Sequence, residues 1–515
     1  MSKMLKKVAM LTCAAAMCGN LFAEKLIEER EGCKLILKDE ANQRYLVYLH
    51  GGPKQRGYNH GWLLAEQVRY TCSDQFVKDL VGGLLGAHVP AVKKIMNNPK
   101  LFRTILDLVS VAASKMSIWA TREMRHEMRY IAKGAIDRLR RDGKPTHTVS
   151  YRRIVLANMG FDIACAVVYP FVVRQLAAQG DLESIRAIQQ HLHACDGFVV
   201  DKAGSATGGT LMGRNFMNDR KNFGPKGYMF EYKPSYGNRF VGHSFAGSVG
   251  FPVGMNDQGV AMGMDMASTV KTNPAAVGMG CLLQTRYTLQ YMDDLDSAKS
   301  SVQWAISRGT PWIYIIGDAK RGAIVEAGAT ALFGGINSGG KPDYFAVRYT
   351  DTVIDDKGHA QKGVGQFENN PNYAVASNHF INKRLVNKSG SKAVKDSLWR
   401  YNFLNRMMKK EMASTDKFTF AEAKALVNYQ DWQRNGEFNK YADEIFLHRK
   451  DGYKWRAHNY TWGAKPVGGS VSAFDCKNKI MAIKYNMHAM PFFTFQFPND
   501  GYDNDARKPW WRRWR

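Results

Sequence analysis

Cys195 directly follows Ala194, comes two residues after His193, and heads a short apolar run, Phe198-Val199-Val200. A second apolar run, Leu211-Met212, leads into Gly213-Arg214-Asn215, and a Gly- and Ala-rich stretch joins the two. Two apolar runs around such a connection predict a β-hairpin. Antiparallel pairing brings the cysteine at the start of the first strand close to the arginine at the end of the second. A cation beside a thiol lowers its pKa and raises the thiolate fraction, so the chemistry on offer is nucleophilic attack on an acyl carbon. Taken alone, the hairpin also reads as a core strand headed by a buried cysteine.

The hairpin resembles the start of the catalytic chain in N-terminal-nucleophile (Ntn) hydrolases. More narrowly it is similar to the acyl-coenzyme A:6-aminopenicillanate acyltransferase and phospholipase B-like families, with acid ceramidase and bile salt hydrolase as distant relatives. Further segments resemble the family in the same order. Gly57 and Gly61 lead into the helical run Trp62 to Val68, as if to let a helix lie close on a strand. Glu127 to Ala135 looks like the family's acidic helix that ends in Gly-Ala. Asn256-Asp257-Gln258-Gly259 is a strong turn, and in bile salt hydrolase relatives the matching Asn lies near the oxyanion. Ser377-Asn378-His379-Phe380 and Ser397 to Tyr401 complete the set.

The resemblance implies self-cleavage between Ala194 and Cys195, leaving Cys195 as an N-terminal nucleophile whose own amine is the base. It implies Asn378 as an oxyanion donor, a role that suits an amide because it can aim N–H at a developing O⁻ without carrying charge. Arg214 would stabilise the thiolate or bind polar substrate groups. Arg400 reads as structural or as holding the site's acids, the first reading being preferred. Relatives carry an acid two residues after the Gly-Arg-Asn, whereas Met217 stands there in this chain. Asp219 or Asp196 is then the expected orienting acid. No cofactor and no metal is required.

These residues need elements to hold them. Residues 24–194 read as largely helical, with apolar positions such as Leu101, Ile105, Leu108 and Val109 at helical spacing. Beyond Cys195 come short strand candidates, Tyr228 to Tyr232, Arg239 to Phe245 and Gly259 to Met266. Two helices follow, Leu282 to Tyr291 and Asp296 to Ser307. Then come a hairpin around Gly317-Asp318 and closing strands at Gly468 to Phe474 and Ile480 to Tyr485. The order of strands, helix pair and strands is the one the resemblance demands: an α+β fold built as a four-layer αββα sandwich, preceded by a mostly helical segment.

The chain has 515 residues and 45% apolar content, enough for a sizeable core. Lys3, Lys6 and Lys7 precede an apolar stretch and Leu21-Phe22-Ala23, which predicts a signal peptide over 1–23 and export to the periplasm or beyond. Expected units are then 24–194 and the catalytic chain 195–515, held together after cleavage. No later apolar run of about 20 residues stands out as a membrane span. Six cysteines follow residue 23, and export permits a disulfide or two among those other than Cys195. The charge of +26 favours acidic partners. With export, an anionic membrane surface fits better than nucleic acid, and the Trp/Arg-rich tail 507–515 is its expected contact. The substrate is expected to be a small acyl amide or lipid. Two other readings stay open: a catalytically silent lipid- or envelope-binding protein, and a cysteine hydrolase with His193 or His379 as base.

Overall fold

A computed structural model describes residues 24–85, 89–191, 195–219, 227–267, 272–273, 278–303, 308–329, 345–350, 353–355, 360–361, 372–389, 395–413, 417–429, 467–485 and 491–498. The signal-like start, His193, Ala194, the side chain of Asp219 and the tail 507–515 lie outside the described residues.

The strands are β1 (Lys25–Arg30), β2 (Cys33–Asp39), β3 (Arg44–Gly51), β4 (Cys195–Val200), β5 (Leu211–Asp219), β6 (Gly227–Pro234), β7 (Phe240–Phe245), β8 (Val253–Asn256), β9 (Ala261–Met266), β10 (Trp312–Gly317), β11 (Gly322–Ala327), β12 (Phe345–Arg348), β13 (Val353–Asp355), β14 (Ala360–Gln361), β15 (Tyr373–Ala376), β16 (Val467–Asp475), β17 (Ile480–Tyr485) and β18 (Phe493–Gln496). They form two sheets. The larger runs β1-β2-β3-β6-β7-β8-β9-β10-β11-β12-β13-β14, and the smaller β15-β4-β5-β16-β17-β18.

Alternation along the strands sorts side chains into separate cores, as the two-residue period requires. On β10, Trp312, Tyr314 and Ile316 face a helical layer, whereas Ile313 and Ile315 face the smaller sheet. On β4, Val199 points between the sheets, and Phe198 and Val200 point to the opposite side. Helices Lys395–Met412 and Phe420–Val427 cover that side with Leu404, Met408 and Leu426. The larger sheet is covered by the N-terminal helices and by the pair Cys281–Tyr291 and Leu295–Gln303. Helix, sheet, sheet and helix in succession make the expected αββα sandwich.

The stretch before Cys195 differs from expectation at its start. Residues 25–51 are three strands rather than helix, and β3 pairs in parallel with β6 inside the larger sheet. Their signal is plain in β2, where Cys33, Leu35, Leu37 and Asp39 are buried and the residues between them are half-buried. The helices after β3 are a layer of the sandwich itself.

Gly57 and Gly61 also have another partner than the strand expected. They lie on helix Pro53–Leu63 and touch the backbone of helix Arg122–Arg141, where Gly134 answers them. A Cβ on Gly61 would sit 2.0 Å from the Ile131 carbonyl oxygen. Beside this crossing, fully buried Arg56 and Arg286 bracket Glu127, at 3.1 and 3.3 Å. Gly61→Ala is therefore expected to destabilise the fold by about 1–3 kcal/mol, the range for overpacked interiors. Denaturant midpoints check this, and an unchanged midpoint would mean that the helices can part freely.

Tyr151–Ile163, a π turn at Ala164–Val168 and Tyr169–Ala178 form one 28-residue helix. It is long and apolar enough to cross a membrane, unlike the expectation from sequence, yet 78% of its most apolar window is buried in the fold. Packing against helices Pro99–Ser117, Arg122–Arg141 and Cys281–Tyr291 accounts for its composition. All six described cysteines are buried and none is bonded to another of them, so the permitted disulfides do not form among them.

Candidate active site

Cys195 opens β4 and is 7% exposed. In the β4–β5 register it faces Phe216, and Gly197 faces Arg214. Arg214 is thus the diagonal neighbour of Cys195, as the hairpin predicts. On the other flank β15 pairs with β4, Ala376 opposite Gly197. The turn after β15 consequently passes beside Cys195, and Asn378 Oδ1 accepts the Cys195 backbone N–H at 2.8 Å. Asn378 Nδ2 donates one hydrogen to the Met266 carbonyl at the end of β9, 2.7 Å away. An amide nitrogen carries two, and the second has no acceptor seen among the described residues.

Arg400 departs from the preferred structural reading and takes up the other, a contact with an acid of the site. From helix Lys395–Met412 its Nη1 donates to the Cys195 carbonyl and, at 3.3 Å, to Asp196 Oδ2, while Nη2 donates to Asn378 Oδ1 at 2.8 Å. One guanidinium therefore fixes the nucleophile's main chain and the orientation of the Asn378 amide. Ser397, one helical turn earlier, accepts from the Asn378 backbone N–H at 2.9 Å and lies 2.7 Å from His379 Nδ1. The resembling Ser-x-x-Arg segment is in effect a clamp on the 377–379 turn. Asp196 also accepts from the Tyr429 hydroxyl at 2.7 Å. Along β4 its side chain takes the opposite face from Cys195, toward the helices of the smaller sheet.

Arg214 is buried, with its guanidinium 4.5 Å from the centre of the Phe216 ring. Its Nε donates to Asp265 Oδ1 at 3.1 Å, and Nη2 donates to the Met264 carbonyl. Asp265 on β9 is a site residue that the sequence reading misses. The available signal is an acid inside the methionine-rich run Ala261 to Met266. Burial pushes Asp265 up to about 7, Arg214 pulls it down and Asp196 adds to the rise. Asp219 ends β5, opposite Val467.

Asn256 does not join the site. Its Nδ2 donates to the Leu289 and Met292 carbonyls at 2.9 and 2.8 Å, and its Oδ1 accepts from Gln258 N and Val260 N at 3.1 and 2.9 Å. Both N–H donors are taken by carbonyls at the end of helix Cys281–Tyr291, which lack partners within the helix itself. Asn256 is a turn and capping residue, and its expected place near the oxyanion is corrected accordingly.

His379 is corrected as a base. Burial, then Arg348 and Arg400, push its imidazole down to about 3, and its Nδ1 engages Ser397. A ring so reluctant to take a proton cannot draw one from a thiol near neutral pH.

No family model matches the chain. An uncharacterized protein from Archaeoglobus fulgidus is 31% identical over 479 residues, covering 92% of this chain and 69% of the relative. Among solved structures, a conjugated bile acid hydrolase from Clostridium perfringens is 12% identical with a TM-score of 0.29, over 59% of this chain and 97% of that one. A Caenorhabditis elegans ortholog of N-acylethanolamine-hydrolyzing acid amidase is 9% identical with a TM-score of 0.28, over 59% and 100%. Penicillin V acylase from Agrobacterium tumefaciens is 11% identical with a TM-score of 0.28, over 59% and 86%. At such scores no residue and no substrate carries across from these structures.

Proposed function

We propose that this chain, which belongs to the same family as the uncharacterized Archaeoglobus fulgidus protein, is a self-processing cysteine amidohydrolase or acyltransferase of the Ntn type. The observation that carries the reading is the grip on the main chain of Cys195. Its N–H is held by Asn378 Oδ1, and its C=O by Arg400. A strand's first residue ordinarily finds such partners in the ladder; here two side chains from distant segments supply them. A free amine at Cys195 would keep the same acceptor.

The mechanism then follows from the groups present. The Cys195 thiolate attacks the acyl carbonyl. The freed α-amine, with an unperturbed pKa of about 7.7–8.0, takes the thiol proton and returns it to the leaving group. The remaining Asn378 N–H stabilises the oxyanion, and Arg214 supplies positive charge beside the sulfur. Water or an amine resolves the acyl-enzyme. Cleavage need not release the first chain, because β3 is an interior strand of the larger sheet, between β2 and β6. Small acyl amides, and lipid esters in a phospholipase B-like variant, are the proposed substrates.

Trapping the acyl-enzyme tests the reading. Short incubation with a panel of acyl amides and 4-nitrophenyl acyl esters, followed by acid quench, is expected to add the acyl mass to the peptide that begins at Cys195. Turnover with the acyl group on any other residue would remove Cys195 as nucleophile.

A further inference from the structure

The ion pair of Arg214 and Asp265 is fully buried, and it is incomplete. Arg214 Nη1 and Asp265 Oδ2 have no hydrogen-bond partner among the described residues. A buried donor or acceptor left unmatched costs about 1–3 kcal/mol, so two on one ion pair call for an explanation. The surroundings provide one. Arg214 is the diagonal neighbour of Cys195 across the hairpin. It lies flat over β9, where a Cβ on Gly263 would come within 2.7 Å of its Cγ. Met266, next after Asp265, takes the Asn378 amide through its carbonyl. The end of β9 is therefore tied to both flanks of the nucleophile.

We propose that Asp265 is the acid of this site, a positioning residue that acts through Arg214 to set how readily Cys195 loses its proton. The proposal rests on Cys195 being the nucleophile. One cation serves two acids here. Arg214 can balance a carboxylate on Asp265 or a thiolate on Cys195, and a charge on either acid disfavours charge on the other. Moving one proton from the Cys195 sulfur to the Asp265 carboxylate leaves the net charge of the trio unchanged, so the ionised thiol is reached without adding charge to a buried site.

The other groups facing the pair leave this exchange in place. Asp196 from β4 and Arg400 from helix Lys395–Met412 act on Asp265 from a distance with opposite signs. His243 on β7 also lies in the field of Arg214; burial, then Arg214, push its imidazole down to about 3, so it adds no charge near neutral pH. Asp265 itself, pushed up to about 7 by burial against the pull of Arg214, changes charge in the range where the exchange matters. Below that pH the carboxyl is neutral and the full charge of Arg214 is available to a thiolate. Above it the ionised carboxylate competes for Arg214.

The test reads the thiol directly and needs no substrate. The rate of Cys195 alkylation by iodoacetamide is measured from pH 5 to 9 on the full purified chain, by mass spectrometry of the peptide that carries Cys195. Wild type is compared with Asp265→Asn, which keeps an oxygen acceptor for Arg214 Nε. The wild-type profile is expected to show a second inflection near neutral pH. The freed Cys195 α-amine titrates in both proteins, so the reading is the difference between the curves: Asp265→Asn is expected to lose the Asp265 component and to react about tenfold faster at pH 7, the effect of a one-unit fall in thiol pKa. Superimposable profiles for the two proteins overturn the proposal. If Asp265→Asn does not fold, Asp265→Ser takes its place, since its hydroxyl also keeps an oxygen acceptor, and a profile that superimposes on wild type again overturns the proposal. Intact mass, read on the same samples, reports self-cleavage separately. An uncut chain with the coupled profile sinks self-processing and leaves Asp265 in place; a cut chain with an uncoupled profile does the reverse.

Discussion

Cys195→Ala is expected to yield one uncut chain with no measurable turnover of any acyl substrate. Both losses follow from a single atom. In the proposed processing step the thiol attacks the Ala194 carbonyl, an N-to-S shift gives a thioester, and water opens it. In turnover the same sulfur attacks the substrate. Cys195→Ser separates the two steps. Its hydroxyl keeps the geometry but is the weaker nucleophile, so slow cleavage and nearly absent amidase activity are expected. Stability should change little, because the Cys195 main chain remains gripped by Asn378 and Arg400 whatever the side chain. Thermal unfolding of the variant checks that point. Full turnover by Cys195→Ala would discard the nucleophile.

Asn378→Ala is expected to lower kcat by about 10²–10³, the scale for one lost oxyanion donor. The side chain is oriented from both ends: Oδ1 takes the Cys195 N–H and Arg400 Nη2, each at 2.8 Å, and Nδ2 gives one hydrogen to Met266 O. In the proposed mechanism only the second hydrogen serves the oxyanion, so KM should move little while kcat falls. Asn378→Asp sharpens the test. A carboxylate keeps acceptors for Cys195 N and Arg400 but removes both donations, to the oxyanion and to the Met266 carbonyl, so it should be at least as slow as alanine. Processing should slow in both variants, since the same oxyanion forms. Near-normal kcat in the Asp variant would mean that main-chain donors alone hold the oxyanion.

The sequence discloses the features that depend on local pattern. The β4–β5 hairpin follows from two apolar runs and a Gly-rich connection, and its register fixes the nearness of Cys195 and Arg214. The alternation of Trp312 to Ile316 and the helix pair before it outline the sandwich. The misses concern groups that meet across the fold. Asp265 reaches Arg214 from the other sheet, and no spacing along the chain announces that contact. Arg400 is over 200 residues from the carbonyl it holds. Gly57 and Gly61 announce a close approach without naming the Ile131 turn as its partner. Asn256 misleads because a turn asparagine looks the same from the sequence whether its amide faces a substrate or caps a neighbouring helix. Residues 25–51 mislead differently: the alternation in β2 is legible, but the helical pattern of the longer segment after β3 outweighs it when 24–194 is read as one unit.

Intact-mass measurement of the purified wild-type protein under denaturing conditions tests the central claim most directly. Without a free amine, Cys195 has only an amide nitrogen, which has no useful basicity, and the proposed base does not exist. The expected result is a pair of chains separated at the Ala194–Cys195 bond, the second beginning at Cys195, that co-purify under native conditions and part only on unfolding. A single uncut chain that still turns over an acyl amide would contradict the account, because the base would then have to be some group other than the Cys195 amine.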